Sequence, residues 1–179
     1  MPARQTIART IRLDPLIDNI LKQEDDQSGL TQTAVTTKAL RKYIMFDRFA
    51  DKTGGLTISK ETLSRILAFL SDDEAEVVGS VANFAGKNAK QFMNLLVGSA
   101  TMNDFFKLLQ VLSTYGHLFE FEHQIEGGKH HLIFAHSMGS KWSAFLQGAI
   151  QSTLKESFSL KARFEKTESL VSCTFEYRT

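Results

Sequence analysis

Apolar and polar residues alternate at the start of the chain and then give way to a helical spacing. The alternation over residues 6–13 predicts a β-strand. Asp14 followed by Pro15 is typical of a helix start, because aspartate caps the first amides and proline fits the first helical turn. The apolar spacing then predicts a helix that runs to about Gln27, with a break at Gly29.

A second helix is predicted to follow directly, with Thr31 as its N-cap. The Gly54-Gly55 pair is the clearest break after it. We therefore predict two domains, one formed by residues 1–53 and one by residues 56–179.

Helical spacing continues through the middle of the chain. Ser59 and Thr101 are predicted N-caps, and the stretch Ser71-Asp72-Asp73-Glu74 reads as a capping box. A separate helix is predicted after Gly86, because glycine weakens a helix interior. These apolar helices are more typical of a core than of a cofactor pocket.

The apolar period changes to two in the last third. Alternation over residues 117–125 and 130–136, joined by Gly127-Gly128, predicts a β-hairpin. A helix over residues 140–156 and a second alternating pair follow. The prediction is an α+β fold whose C-terminal part is a four-stranded antiparallel sheet in the order hairpin, helix, hairpin.

Composition narrows the class of protein further. With 42% hydrophobic residues and a net charge of +1, the chain is suited to a buried core and is not a strongly basic nucleic-acid coat. Its single cysteine, Cys173, excludes an intrachain disulfide. The chain has neither a long apolar stretch nor a signal-like start, which predicts a cytoplasmic protein with no membrane partner.

The N-terminal pattern poses a packing problem. One strand and two short helices cannot cover their own apolar face, but two intertwined copies can. This part of the chain resembles the ribbon-helix-helix family of Arc, MetJ and CopG. The residues that carry the resemblance are Ile11-Arg12-Leu13-Asp14-Pro15, Ile17, Leu21, Gly29-Leu30-Thr31, Ala34-Val35, Ala39-Leu40 and Tyr43.

The resemblance implies a homodimer that inserts a two-stranded ribbon into the major groove of double-stranded DNA. On this implication Ala8, Thr10 and Arg12 occupy the base-contacting positions, and Arg12 suits a guanine edge. Leu30 and Thr31, at the start of the second helix, would contact phosphate. The alternative interpretation is that this segment serves mainly to dimerise.

Five histidines lie within one stretch of twenty residues, 117–136, that contains the first predicted hairpin. Two weak metal interpretations follow: His123 with His130 across the hairpin, or His131 with Glu120 or Glu122. The spacing matches no strong ligand motif, so core or rim histidines are the preferred interpretation. We predict no bound metal and no cofactor.

Catalytic motifs are missing, since the chain has no phosphate-binding loop, no nucleophile elbow and no H-E-x-x-H. We therefore predict that it is not an enzyme. The preferred function is a sequence-specific transcriptional regulator that acts as a homodimer, whose C-terminal part either senses a small-molecule or metal effector or builds higher oligomers. The alternative is an antitoxin-like module that binds a protein partner, or a ligand-binding module.

Overall fold

The computed structural model describes residues 7–70 and 75–177, except for the side chains of residues 75–78, 96 and 97. The chain divides into two compact units, the first ending at Ile44 and the second starting at Met45. This division lies before the Gly54-Gly55 pair, where the sequence placed the domain boundary.

The first unit contains two helices. Helix α1, Pro15–Ser28, begins at Asp14, whose carboxylate accepts hydrogen bonds from two first-turn amides at 3.0 Å. It ends at Gly29, which has a left-handed φ of 66° that glycine adopts without steric cost. Helix α2, Gln32–Lys42, begins at Thr31. The helix starts therefore match the sequence prediction.

The described part of the predicted N-terminal strand, residues 7–13, forms no strand in the structure, and residue 6 lies outside the described residues. A β-strand is defined by hydrogen bonds to a neighbouring strand. Within the described part of this single chain, no second strand pairs with residues 7–13. Helix α1 is therefore the first regular element among the described residues of this unit.

The second unit continues the helical path and adds the sheet. Its helical elements are a π-helical turn that starts at the end of the first unit, Tyr43–Asp47, followed by α3, Arg48–Thr53, α4, Lys60–Phe69, α5, Ala75–Val97, α6, Met102–Thr114, and α7, Ser140–Phe158. Ser59 caps α4 by accepting a hydrogen bond from the Thr62 amide at 3.1 Å, as predicted. The predicted capping box at residues 71–74 lies outside the described residues.

The predicted cap at Thr101 is part of a reciprocal capping box. Thr101 Oγ1 accepts a hydrogen bond from the Asp104 amide, and the Asp104 carboxylate accepts one from the Thr101 amide. Hydrogen bonds from Ser99, Thr101 and Lys107 hold the pKa of Asp104 well below its usual range. The start of α6 is thereby fixed by an ionised, buried carboxylate.

The predicted break at Gly86 is wrong, because α5 runs through it without interruption. Gly86 instead allows α5 to approach α7 closely. A Cβ atom added there would lie 2.6 Å from Ser152 Oγ and 2.9 Å from the Ala149 carbonyl oxygen. Gly148 on α7 also allows a close approach of the two helices, since its added Cβ would lie 2.7 Å from Ala82 Cβ.

The sheet is antiparallel throughout, in the spatial order β1-β2-β4-β3. The strands are β1, Glu120–Glu126, β2, Lys129–Ala135, β3, Arg163–Lys166, and β4, Leu170–Glu176. The Gly127-Gly128 turn places Phe121 opposite Phe134, the register that the sequence predicted. Strands β1 and β3 form the two edges of the sheet.

The core of the second unit lies between one face of this sheet and the helices. Alternate residues of β2 and β4 supply the sheet side, and α6 and α7 supply most of the helix side. The most buried contributors include Leu132, Phe134, Val171, Cys173, Phe175, Phe105, Trp142, Leu146, Ile150 and Leu154. Burial raises the pKa of Cys173 to about 12, so its thiol stays protonated.

The architecture is α+β, with a four-stranded antiparallel sheet near the C-terminus, as the sequence predicted. Among the helices described, none combines the length and the apolar character that a membrane span requires.

Candidate nucleic-acid interface

The segment before α1 carries the three residues predicted to contact bases. Ala8, Thr10 and Arg12 are all exposed and occupy alternate positions, so a strand conformation would bring them to one face. The intervening apolar residues are exposed as well, with Ile7 at 72% and Ile11 at 54% of full exposure. In the single chain, this segment has a polar and an apolar set of side chains, and neither is covered.

The two helices of the first unit also leave apolar side chains exposed. No residue of α1 or α2 is buried, although the two helices contact each other. The apolar residues left at least 40% exposed on these helices are Leu16, Ile17, Ile20 and Leu40, and Leu13 and Leu30 beside them are exposed to the same extent. The described residues of the first unit therefore form an apolar surface and bury no core of their own.

The predicted phosphate-contacting residues lie in the connection between α1 and α2. Thr31 Oγ1 accepts a hydrogen bond from the Ala34 amide at 3.2 Å, and the Leu30 amide donates to Ser28 Oγ at 3.3 Å. The Leu30 amide is thus already engaged, and the Thr31 hydroxyl oxygen serves as an acceptor. The amides of the first turn of α2 that have no intrahelical partner are the donors that suit an anion.

The residues just before this connection are acidic. Glu24, Asp25 and Asp26 lie in the last two turns of α1, just before Gly29. Carboxylates beside a helix N-terminus oppose the approach of a phosphate. The basic residues Arg9 and Arg12 lie at the other end of α1, on the segment that precedes it.

Of the two metal interpretations, the structure brings together only His123 and His130. His123 Nε2 lies 2.9 Å from His130 Nδ1, and His130 Nε2 lies 3.3 Å from the Tyr177 carbonyl oxygen. Because a carbonyl oxygen only accepts, His130 Nε2 donates to it. This hydrogen bond leaves His130 Nδ1 as the acceptor for His123 Nε2–H.

Aromatic rings enclose this histidine pair. His130 stacks between Phe106, with ring centroids 5.4 Å apart, and Phe175, at 5.3 Å. Burial, and secondarily the charge of His130, lower the pKa of His123. Both imidazole rings pack against the wall of the core.

His131 makes a different contact. His131 Nδ1 lies 3.2 Å from Thr174 Oγ1, and its strand partner on β1 is Gln124, neither of the two predicted glutamates. The described residues contain no group of three or more histidines, cysteines or acids that could hold a metal ion. A protein zinc site ordinarily uses three or four such ligands, which a single histidine pair does not supply.

A polar cluster that the sequence did not indicate lies at the end of β2. His136 Nε2 donates to Ser143 Oγ at 2.9 Å, and Ser143 Oγ donates to the Thr167 carbonyl at 2.6 Å. The Met138 amide donates to His136 Nδ1, and burial lowers the pKa of His136. Because the serine proton is directed to a carbonyl oxygen, this pair ties elements together and does not form a nucleophile. Residues distant in sequence create it, so no local signal could have revealed it.

The fold and this candidate interface define an α+β chain whose first unit exposes an apolar surface and an adjacent basic segment. Comparison with known protein families, with curated proteins and with solved structures found no match to the chain.

Proposed function

We propose that the protein is a homodimeric, sequence-specific DNA-binding regulator. Its N-terminal segments would pair as a two-stranded ribbon that enters the major groove. The observation that carries this proposal is the exposed apolar surface of the first unit, beside an unpaired segment with alternating polar residues.

Energetics support dimerisation of this unit. Fully burying a leucine or isoleucine is worth about 1.5–3 kcal/mol, so a side chain left half exposed forgoes about 1 kcal/mol. The exposed apolar residues include Ile7, Ile11, Ile17 and Ile20, each between 45% and 72% exposed. A second copy that covers these residues would gain several kcal/mol per chain and would provide the missing strand partner.

The polar set of the segment supports DNA as the ligand. Arg12 can donate two parallel hydrogen bonds to a guanine edge, a contact worth about 1–3 kcal/mol of discrimination. Thr10 adds a hydroxyl that suits several bases, and Ala8 adds an apolar contact that suits a thymine methyl group. The major groove is wide enough to admit a two-stranded β-ribbon.

Dimerisation is tested first. Sedimentation equilibrium of the full chain should give a dimer, and Ile11→Glu should shift it to monomer because it places a charge in the proposed interface. The matched control is Ile125→Glu, an exposed isoleucine of the second unit. A wild-type protein that stays monomeric at micromolar concentration would overturn the proposal.

DNA recognition is tested by selection from a randomised duplex library, followed by mobility shift on the selected site. Thr10→Ala with Arg12→Ala should reduce preference for that site about tenfold or more, while leaving salt-sensitive, nonspecific binding. The control, Thr57→Ala with Arg65→Ala, removes the same residue types from exposed positions of the second unit and should leave the preference unchanged.

The phosphate contact at Leu30 and Thr31 has its own test. Glu24→Gln with Asp26→Asn removes two carboxylates near the start of α2 and should tighten DNA binding at every sequence. An unchanged affinity would place the phosphates elsewhere. If the protein is a dimer that selects no DNA sequence and copurifies with a protein partner, the antitoxin-like alternative replaces the regulator.

A further inference from the structure

The two strands at one side of the sheet end at different levels. The first residue of β3, Arg163, pairs with Thr174, whereas β4 continues to Glu176 and pairs there with Lys129 of β2. Beyond Thr174, β4 has a neighbouring strand on one side only, and residues 160–162 pass opposite it. This leaves a concave site of about 550 Å³, the β3–β4 notch.

Positive charge is concentrated around the notch. Lys129, Lys161 and Arg163 line it, against the single carboxylate of Glu176. All three cations are exposed, and within the part of the chain that the structure describes, none of them forms an ion pair or a side-chain hydrogen bond. Three like charges around one concavity repel each other, and a bound anion relieves that repulsion.

Apolar groups form another part of the same lining. Leu160 and Ala162 are partly buried, and both pack against the hydrophobic core. Their positions are fixed by that packing, so they provide a small apolar surface beside the exposed charged side chains. The volume falls within the range of about 300–1,000 Å³ that is typical of sites for small molecules.

We propose that the β3–β4 notch binds a small organic anion, whose acidic headgroup contacts Lys129, Lys161 and Arg163 and whose apolar part lies against Leu160 and Ala162. The headgroup is a carboxylate or a phosphate, both of which arginine can bind through two hydrogen bonds. This site lies wholly in the second unit, so it does not depend on dimerisation or DNA binding by the first.

Amide chemical shifts of the ¹⁵N-labelled full chain provide the measurement. The probes are benzoate, phenyl phosphate, inorganic phosphate and the neutral benzyl alcohol, each titrated to millimolar concentration. Benzoate or phenyl phosphate should give saturable shifts at residues 160–163 and 174–176, and the tighter of the two identifies the headgroup. Inorganic phosphate should bind more weakly, and benzyl alcohol should not saturate.

Two variants of opposite sign sharpen the test. Lys161→Ala with Arg163→Ala should weaken binding of the tighter probe about tenfold, because two charged donors are lost. Glu176→Gln should tighten it about twofold or more by removing the opposing charge. The control, Lys155→Ala with Lys166→Ala, removes two exposed cations that do not line the notch and should change nothing.

The proposal is overturned if no anionic probe gives saturable shifts at these amides, or if the Lys161 and Arg163 variant binds as tightly as the control variant. Equal binding of benzyl alcohol and benzoate would also overturn it, since that result would make the charges irrelevant.

Discussion

Replacing Gly86 with alanine tests how closely α5 and α7 cross. Gly86 is buried in the interior of α5, and its added Cβ would meet Ser152 Oγ at 2.6 Å and the Ala149 carbonyl oxygen at 2.9 Å. Both distances are shorter than an unstrained contact, and the second involves backbone, which cannot rotate away. The two helices would have to separate to accept the methyl group.

Two opposing effects set the size of the change. Alanine improves on glycine in a helix interior by about 0.8–1 kcal/mol, whereas overpacking a tight site costs about 1–3 kcal/mol. We expect Gly86→Ala to lower the free energy of unfolding by about 1–2 kcal/mol. Gly79→Ala, on the same helix with nothing within 4 Å of its added Cβ, should instead raise it by about 0.5–1 kcal/mol.

Urea unfolding followed by tryptophan fluorescence provides the assay. Trp142 is the single tryptophan and is buried on α7, so its emission reports on the second unit. Wild type and both variants are compared at one protein concentration, and the dependence of the free energy on urea should be the same for all three. If Gly86→Ala stabilises the unit as much as Gly79→Ala does, the close crossing of the helices is refuted.

Three further predictions concern single side chains. Because burial lowers the pKa of His136, folding stability should fall as the pH drops below about 6.5, where the unfolded chain takes up the proton first. His136→Gln should therefore make the urea midpoint less dependent on pH between about 7 and 5. Thr101→Ala should cost about 0.5–2 kcal/mol in urea unfolding, and an NMR titration should show the pKa of Asp104 rising as it loses a donor. Burial raises the pKa of Cys173 to about 12, so its thiol should resist iodoacetamide at pH near 8 in the native protein and react on denaturation. Mass spectrometry measures the labelling, and rapid labelling of the native protein would contradict the buried position of Cys173.

The first hairpin shows what local sequence can determine. A two-residue Gly127-Gly128 loop leaves little choice of register, and the pairing of Phe121 with Phe134 follows from it. The same holds for the helix starts at Asp14, Ser59 and Thr101, since each cap depends on residues within three positions.

Features that depend on distant contacts were not predicted. Gly86 has the local signature of a helix break, yet its role is set by Ser152 and Ala149 on another helix. The predicted N-terminal strand also depends on a distant contact. A strand requires a partner strand, and the described residues of this single chain do not provide one.

The candidate sites likewise differ in whether local sequence or distant contacts determine them. The alternation of Thr10 and Arg12 is visible in the sequence because it is local. The β3–β4 notch depends on β3 starting opposite Thr174 while β4 continues, a difference in strand ends that no residue pattern marks. The link from His136 to Ser143 and Thr167 likewise exists only after folding.

Strand β1 leaves one side of the sheet open along seven residues, and an open side of this kind invites copies of a protein to polymerise. Pairing two β1 strands antiparallel about His123 would set Glu120 opposite Glu126, so like charges oppose that pairing. The two glutamates therefore disfavour edge-to-edge association of this strand with a second copy.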